Sequence, residues 1–310
     1  MRIVFMGTPV VAAVSLEKLL GSHHNVVGVV TQPERPVGRG QKPAPSPVRQ
    51  AADKRGVPTL APEKVRDAAF LAALGAWKPE IIVVVAYGRI LPRSILELAP
   101  DGCLKVHYSL LPKYRGAAPV TWAVVNGEEK SGVTTMRLVE KMDAGPIYLQ
   151  RELPLAPDET TASLQAKLAP LGAELLLETL AGLEAGTIAA QEQNEAEMTL
   201  APMLKKEDGL VDWTLPAIAI ERRVRAFTPW PSAYTHVSGQ VMKIHRASVE
   251  ADQDGAPGEI IRADRGGLWV ATGKGALALQ EVQLENRKRV SAAEFLNGAR
   301  IEKGALLGAA

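Results

Sequence analysis

The sequence predicts an α/β fold: a doubly wound, mainly parallel sheet, followed by a smaller β-rich domain. Three observations carry this. Short apolar, β-branched runs alternate with helical patterns through the N-terminal part of the chain, the habit of βαβ units. The run Ile81-Ile82-Val83-Val84-Val85-Ala86 is continuously apolar rather than alternating, which suits a strand covered on both faces. At 310 residues the chain also exceeds the usual size of one hydrophobic core, while 46% hydrophobic and 23% charged residues are ordinary for globular protein.

Taken in order, residues 2–6, 25–31, 80–86 and 103–107 read as strands, and 10–20, 47–54 and 64–74 as the helices between them. A hairpin is expected over 132–138 and 147–153. A long amphipathic helix should then begin near Asp158-Glu159-Thr160 and end near Gly182 or Gly186. Residues 189–206 are polar and weakly periodic and read as a linker. Beyond them a helix over 215–227 is stopped by Pro229 and Pro231. Short strands follow at 242–249, 258–262, 268–272 and 276–282. Their spacing, with turns such as Asp264-Arg265-Gly266-Gly267 and Gly273-Lys274-Gly275, suggests a small barrel of the oligonucleotide-binding (OB-like) kind. The expected domains are therefore 1–189, a linker 190–205, and 206–310.

Composition excludes several classes. The stretch beginning Met1-Arg2-Ile3 has neither the apolar core nor the cleavage site of a signal peptide, and no apolar run approaches the roughly 20 residues of a membrane span. The single cysteine, Cys103, leaves no internal disulfide and no multi-cysteine metal site. A soluble, cytoplasmic, monomeric protein is expected. The formal net charge is only +2, so any affinity for nucleic acid must come from local basic clusters rather than a global field.

An open parallel sheet binds ligands at the carboxyl ends of its strands, and His107 ends one of them just before a loop marked by proline and glycine. A core histidine bonded to a backbone carbonyl is the plainer reading of an isolated His. The surrounding passage is more specific: Ser109-Leu110-Leu111-Pro112-Lys113-Tyr114-Arg115-Gly116-Ala117-Ala118-Pro119, then Met142-Asp143-Ala144-Gly145-Pro146-Ile147. The first resembles the SLLP-x-[YWF]-R-G-A-A-P signature of formyltransferases that use 10-formyltetrahydrofolate, and the second resembles their L-D-x-G motif. Phe5-Met6-Gly7-Thr8-Pro9, Thr31-Gln32-Pro33, Pro45-Ser46-Pro47-Val48, Val85-Ala86-Tyr87-Gly88, Asp208-Gly209-Leu210-Val211-Asp212-Trp213 and 225–231 resemble the methionyl-tRNA formyltransferase family at matching places. The resemblance spans nearly the whole chain.

It implies a formyltransferase/Rossmann-like first domain that catalyses and an OB-like domain that binds tRNA. The implied reaction moves the formyl group of 10-formyltetrahydrofolate to the α-amino group of methionyl-initiator-tRNA, for translation initiation. That chemistry needs a neutral amine, stabilisation of the developing oxyanion and a proton for the leaving nitrogen. In the family an Asn, a His and an Asp share these tasks without a metal. His107 matches the histidine and Asp143 the aspartate, where it should raise the His107 pKa and orient the ring. A mere turn residue before Gly145 is the alternative for Asp143. The position matching the asparagine is Lys105, on the same face of the strand as His107. Its cation opposes protonation of His107 and replaces a neutral amide donor, so strongly reduced activity is expected.

The resemblance further places the folate co-substrate in a pocket formed by Val85, Ala86, Tyr87 and Gly88, by Ser109, Leu110, Leu111 and Pro112, and by Asp143. It places the acceptor stem of initiator tRNA against the Pro- and Gly-rich loop 32–46, with Arg35, Arg39 and Lys42 meeting phosphates. Without it the loop reads equally as a solvated basic surface. No Gly-x-Gly-x-x-Gly follows the first strand, which disfavours nicotinamide binding. Two readings compete: a formyltransferase for an amino sugar or other small amine, and a non-catalytic tRNA- or folate-binding homologue.

Overall fold

In the computed structural model the chain divides into two compact units. One holds Met1–Pro119, Lys130–Pro154 and Leu164–Pro202; the other holds Val120–Glu129, Leu155–Ser163 and Met203–Ala310. The structure describes residues 1–34, 36–37, 42–251, 255–298 and 301–308, and at 36, 37, 42 and 43 the backbone alone.

The first unit is built on a seven-stranded sheet. In chain order its strands are β1 (Arg2–Gly7), β2 (Asn25–Val30), β3 (Thr59–Leu60), β4 (Ile81–Val85), β5 (Cys103–His107), β6 (Lys130–Arg137) and β7 (Ile147–Pro154). The spatial order is β7-β6-β5-β4-β1-β2-β3. The five strands from β3 to β5 run parallel, and β6 and β7 form an antiparallel edge. The doubly wound, mainly parallel sheet read from the sequence is thus present. The winding reverses between β1 and β4, the kind of switch point beside which open α/β sheets bind ligands.

The apolar runs divide by period two. Val4 and Met6 of β1 and Ile82 and Val84 of β4 share one core with Phe70 and Leu74 of the helix Ala68–Ala76. Ile3, Phe5, Ile81, Val83 and Val85 alternate with them and are equally buried, so both faces of the sheet are covered. Each such side chain stabilises the fold by roughly 1.5–3 kcal/mol through burial. Two glycines allow close approach. A Cβ on Gly7 would stand 2.7 Å from the Val85 carbonyl oxygen, and one on Gly28 would lie 2.3 Å from the Trp77 ring.

Helix ends follow local chemistry. The third helix starts at Ala68, later than the expected 64, because the Asp67 carboxylate accepts from the Ala69 N–H at 2.8 Å and caps it. The long helix is Thr161–Glu184 and carries Pro170 in its interior. No described helix is long and apolar enough to cross a membrane.

The second unit holds an antiparallel sheet of β8 (Ala233–Val237), β9 (Gln240–Glu250), β10 (Ile260–Asp264), β11 (Gly267–Ala271) and β12 (Ala276–Leu284), in the order β8-β9-β12-β11-β10, with Val290–Ser291 added to β12. Ile220 and Val224 of the helix Ala217–Ala226 join Trp213, Met242, Ile244, Leu268, Leu277 and Phe295 in one core. Sequence reading missed β8, which begins two residues after Pro231, and the short helix Ala292–Gly298. That helix is signalled by a capping box: the Glu294 carboxylate accepts from the Ser291 N–H at 2.9 Å, and the Ser291 hydroxyl accepts from the Glu294 N–H at 3.2 Å.

Candidate active site

Three chain segments in the first unit meet at the carboxyl ends of β4 and β5. After β4 the backbone turns through Ala86 (φ 45°) and Gly88 (φ 78°). β5 presents Lys105 and His107 on one face by its period of two. Between β6 and β7 the chain passes through Asp143, itself at φ 50°. Together they wall a cavity of about 480 Å³, within the usual size range of a small-molecule site.

His107 is buried, 3% exposed, and its Nε2–H donates to the Tyr114 carbonyl at 2.9 Å. Because a carbonyl only accepts, that bond fixes the tautomer of the neutral ring and leaves the Nδ1 lone pair free. Nδ1 lies 3.6 Å from Asp143 Oδ2. The same oxygen accepts the Gly116 N–H at 3.0 Å, and Asp143 Oδ1 takes a direct hydrogen bond from the Lys105 ammonium. Burial opposes ionisation of Asp143, but His107, the Lys105 ammonium and the Gly116 N–H hold its carboxyl below the usual carboxylate range.

His107 departs from expectation. Asp143 does favour the imidazolium, but burial, the largest influence, and then the Lys105 cation overcome it and push the ring down to about 4. The histidine is therefore neutral at pH 7, with Nδ1 available as a proton acceptor. Cys103 serves no such purpose: it is buried, its thiol is 3.6 Å from the Ile95 carbonyl oxygen, and burial pushes it up to about 12.

Of the residues read from the sequence, the structure brings Lys105, His107, Asp143, Ala86, Tyr87 and Gly88 to the cavity wall. Val85, Ser109, Leu110, Leu111 and Pro112 do not line it. Val85 is fully buried in the sheet. The Ser109 hydroxyl donates to the Lys113 carbonyl at 2.7 Å, and the Leu111 N–H donates to Thr134 Oγ1 at 3.1 Å, so this turn is bonded into the protein rather than facing the cavity. Arg35 and Arg39 lie outside the described residues. Lys42 is described in its backbone alone, where 42–43 pairs with 36–37.

Residues 1–180 match the family described as formyl transferase, and residues 203–300 match its C-terminal domain. A methionyl-tRNA formyltransferase of Geobacter sulfurreducens is 47% identical over 310 residues, covering 100% of this chain and 98% of its own. This chain belongs to the methionyl-tRNA formyltransferase family. A second methionyl-tRNA formyltransferase, of Desulfotalea psychrophila, is 50% identical over 302 residues, 97% of this chain and 94% of its own. Among solved structures, the N-formyltransferase of Helicobacter canadensis in complex with folinic acid and dTDP-3-aminofucose superposes with a TM-score of 0.67 at 18% identity, covering 90% of this chain and 99% of that one. The HypX protein of Aquifex aeolicus in complex with tetrahydrofolic acid gives 0.62 at 21%, covering 96% and 47%. At such identities the likeness shows the fold alone.

For a methionyl-tRNA formyltransferase family member, the sequence reading missed part of the cavity wall: Arg89, Ile90 and Leu91 after β4, and Leu138, Val139, Glu140 and Met142 ahead of Asp143. Ile90 and Met142 are exposed apolar side chains in the structure, a property that the sequence does not display. Away from the cavity, His23, His24 and Glu184 bring ligating atoms within 4.8 Å of one another. These groups are paired among themselves and with the Met1 amine.

Proposed function

We propose that the chain transfers the formyl group of 10-formyltetrahydrofolate to the α-amino group of methionyl-initiator-tRNA in the cytoplasm. The observation that carries this is the His107–Asp143 pair on the wall of a ligand-sized cavity, in a chain 47% identical from end to end to a methionyl-tRNA formyltransferase.

In this reading the pteridine occupies the cavity against Ala86, Tyr87 and Gly88 and the wall from Leu138 to Met142. Neutral His107 takes a proton from the attacking amine at Nδ1, because its Nε2–H is committed to Tyr114. As the ring gains charge, Asp143 stabilises it from 3.6 Å, and the Gly116 N–H keeps the carboxylate in place. The proton is then delivered to the leaving nitrogen of the folate. Lys105 occupies the place from which an amide would donate to the formyl oxygen. Its ammonium offers charge for that task but is bound to Asp143, and it makes His107 a weaker base. Loss of one well-placed oxyanion donor costs roughly 100- to 1,000-fold in turnover, and the chain should be slowed accordingly.

Arg35, Arg39 and Lys42 are proposed to hold acceptor-stem phosphates. Formyl transfer measured with charged initiator tRNA and, separately, with a nucleotide-linked amino sugar tests the substrate class. Transfer to the tRNA alone supports the proposal, whereas faster transfer to the sugar overturns it. Removing the charge of Arg39 should raise KM for tRNA and leave folate affinity unchanged; equal loss of both would count against the loop's role.

A further inference from the structure

The segment 190–202, polar enough to resemble a linker, is bound to the active site. Gln191 exchanges backbone hydrogen bonds with Ile147 at 2.7 and 2.8 Å, and Leu200–Ala201 pairs in parallel with Arg115–Gly116. Between these two attachments stands Gln193, buried at 9% exposure. Its Nε2 donates to the Asp143 carbonyl at 2.8 Å and to the Gly145 carbonyl at 2.7 Å. Its Oε1 accepts from Arg115 Nε at 3.0 Å and Nη2 at 2.8 Å. Both amide hydrogens and both lone pairs are thus used. The reversed orientation would set an oxygen against two carbonyls and an NH2 against a guanidinium, so the amide has one tenable placement.

We propose that Gln193 is a positioning residue that holds Asp143 where it serves His107, a role that rests on the function proposed above. Asp143 sits at a positive φ of 50°, a conformation that aspartate enters more readily than most non-glycine residues but still at an energetic cost, so a fixed geometry here needs enforcement from its surroundings. Gln193 supplies that enforcement by fastening the carbonyls of residues 143 and 145 together. Its other end is held by Arg115, which is 2% exposed and also donates to Glu195 at 2.8 Å. Arg115 in turn lies between Tyr114, whose carbonyl fixes His107, and Gly116, whose N–H fixes the Asp143 carboxylate. One side chain therefore ties the loop bearing Asp143 to the segment that orients the histidine. Gln193 touches no reacting atom and acts through Asp143.

The Gly116 amide reports directly on the Asp143 carboxylate, its hydrogen-bond acceptor. Gln193→Glu keeps an acceptor for Arg115, and so keeps the buried cation paired, but replaces the two donated bonds with a carboxylate facing two carbonyl oxygens. Amide hydrogen exchange should show Gly116 exchanging at least about tenfold faster in Q193E, with Val4 and Phe5 of β1 still protected. Formyl transfer should fall about 10- to 100-fold in kcat, with KM for the folate within about threefold of the parent. Glu195→Gln, which leaves every bond of Gln193 in place, should change neither readout beyond about twofold. Unchanged Gly116 exchange in Q193E overturns the proposal. So does equal loss of protection at Val4 and Phe5, which would make Gln193 a residue of the fold at large. A parent that transfers no formyl group to tRNA would defeat the proposed function, while Gly116 exchange would still decide the role of Gln193.

Discussion

The turn 109–113 and the segment 190–202 both reach the His107–Asp143 pair through Tyr114 to Gly116, which join them, but they are held by different means. The turn is bonded largely to itself and to its neighbour strand: Ser109 Oγ reaches the Lys113 carbonyl, and Thr134 Oγ1 takes the Leu111 N–H while donating to the Ser109 carbonyl at 2.6 Å. Gln150 adds a bond to the Leu111 carbonyl at 2.8 Å. The segment 190–202 has little regular structure of its own, one short 3-10 turn over Glu195–Glu197, and relies on edge pairing and on Gln193. A self-bonded turn demands particular residues at particular places and so forms a conspicuous motif. A borrowed segment needs only one or two side chains at the right height, and the rest of it can vary.

The largest effect expected is on the chemistry that both segments support. Asp143→Asn removes the charge that favours protonated His107 and the partner of Lys105, and should lower formyl-transfer kcat by about 1,000-fold. A loss under about tenfold would mean that the two segments converge on a structural turn. Next is Lys105→Asn, which restores an amide donor and should speed single-turnover transfer by about 100-fold.

The same substitution should be visible in His107 itself. The folded-state pKa of about 4 lies below the ordinary value of 6.5, so the unfolded chain binds a proton at pH values where the folded chain does not. Stability should therefore rise with pH between about 4 and 6.5, by roughly 3 kcal/mol in all, and level off above that range. Removing the Lys105 cation should move the histidine titration, followed by NMR, to higher pH and flatten this dependence. A shift to lower pH would contradict the electrostatics described for the site.

Smaller effects separate the two segments themselves. Thr134→Val strips the buried turn of two hydrogen bonds, and thermal unfolding should show a loss of roughly 1–3 kcal/mol. Asn194→Ala removes an exposed cap whose side chain accepts the Ala196 N–H at 3.1 Å, and should cost about 0.5–1 kcal/mol or less. Equal losses would erase the distinction between a self-bonded turn and a borrowed segment.

Much of this was legible in the sequence, for identifiable reasons. β4 announces itself because both faces of a central parallel strand must be apolar, and the end of β5 is marked by His107 followed by Ser109-Leu110-Leu111-Pro112. Asp143 was legible through its motif. Gln193 was not, because a polar side chain in a polar stretch reads as solvated until the carbonyls it meets, fifty and forty-eight positions away, are known. Val85 and Ser109–Pro112 were assigned to the pocket by the resemblance, and a motif does not say which way its residues face: they are absent from the cavity wall, and the turn is bonded to Thr134 and Gln150. The net direction of the His107 pKa was hidden likewise, since it depends on how fully the ring is buried.

The central claim is that His107, Asp143 and Lys105 form a formyl-transfer site whose rate Lys105 limits. The most direct measurement is single-turnover transfer of labelled formyl from 10-formyltetrahydrofolate to methionyl-initiator-tRNA, run side by side on the parent and Lys105→Asn. Slow but measurable transfer by the parent, and transfer about 100-fold faster by the variant, is the predicted result. A variant no faster than the parent, with both folded and both binding folate, would contradict it.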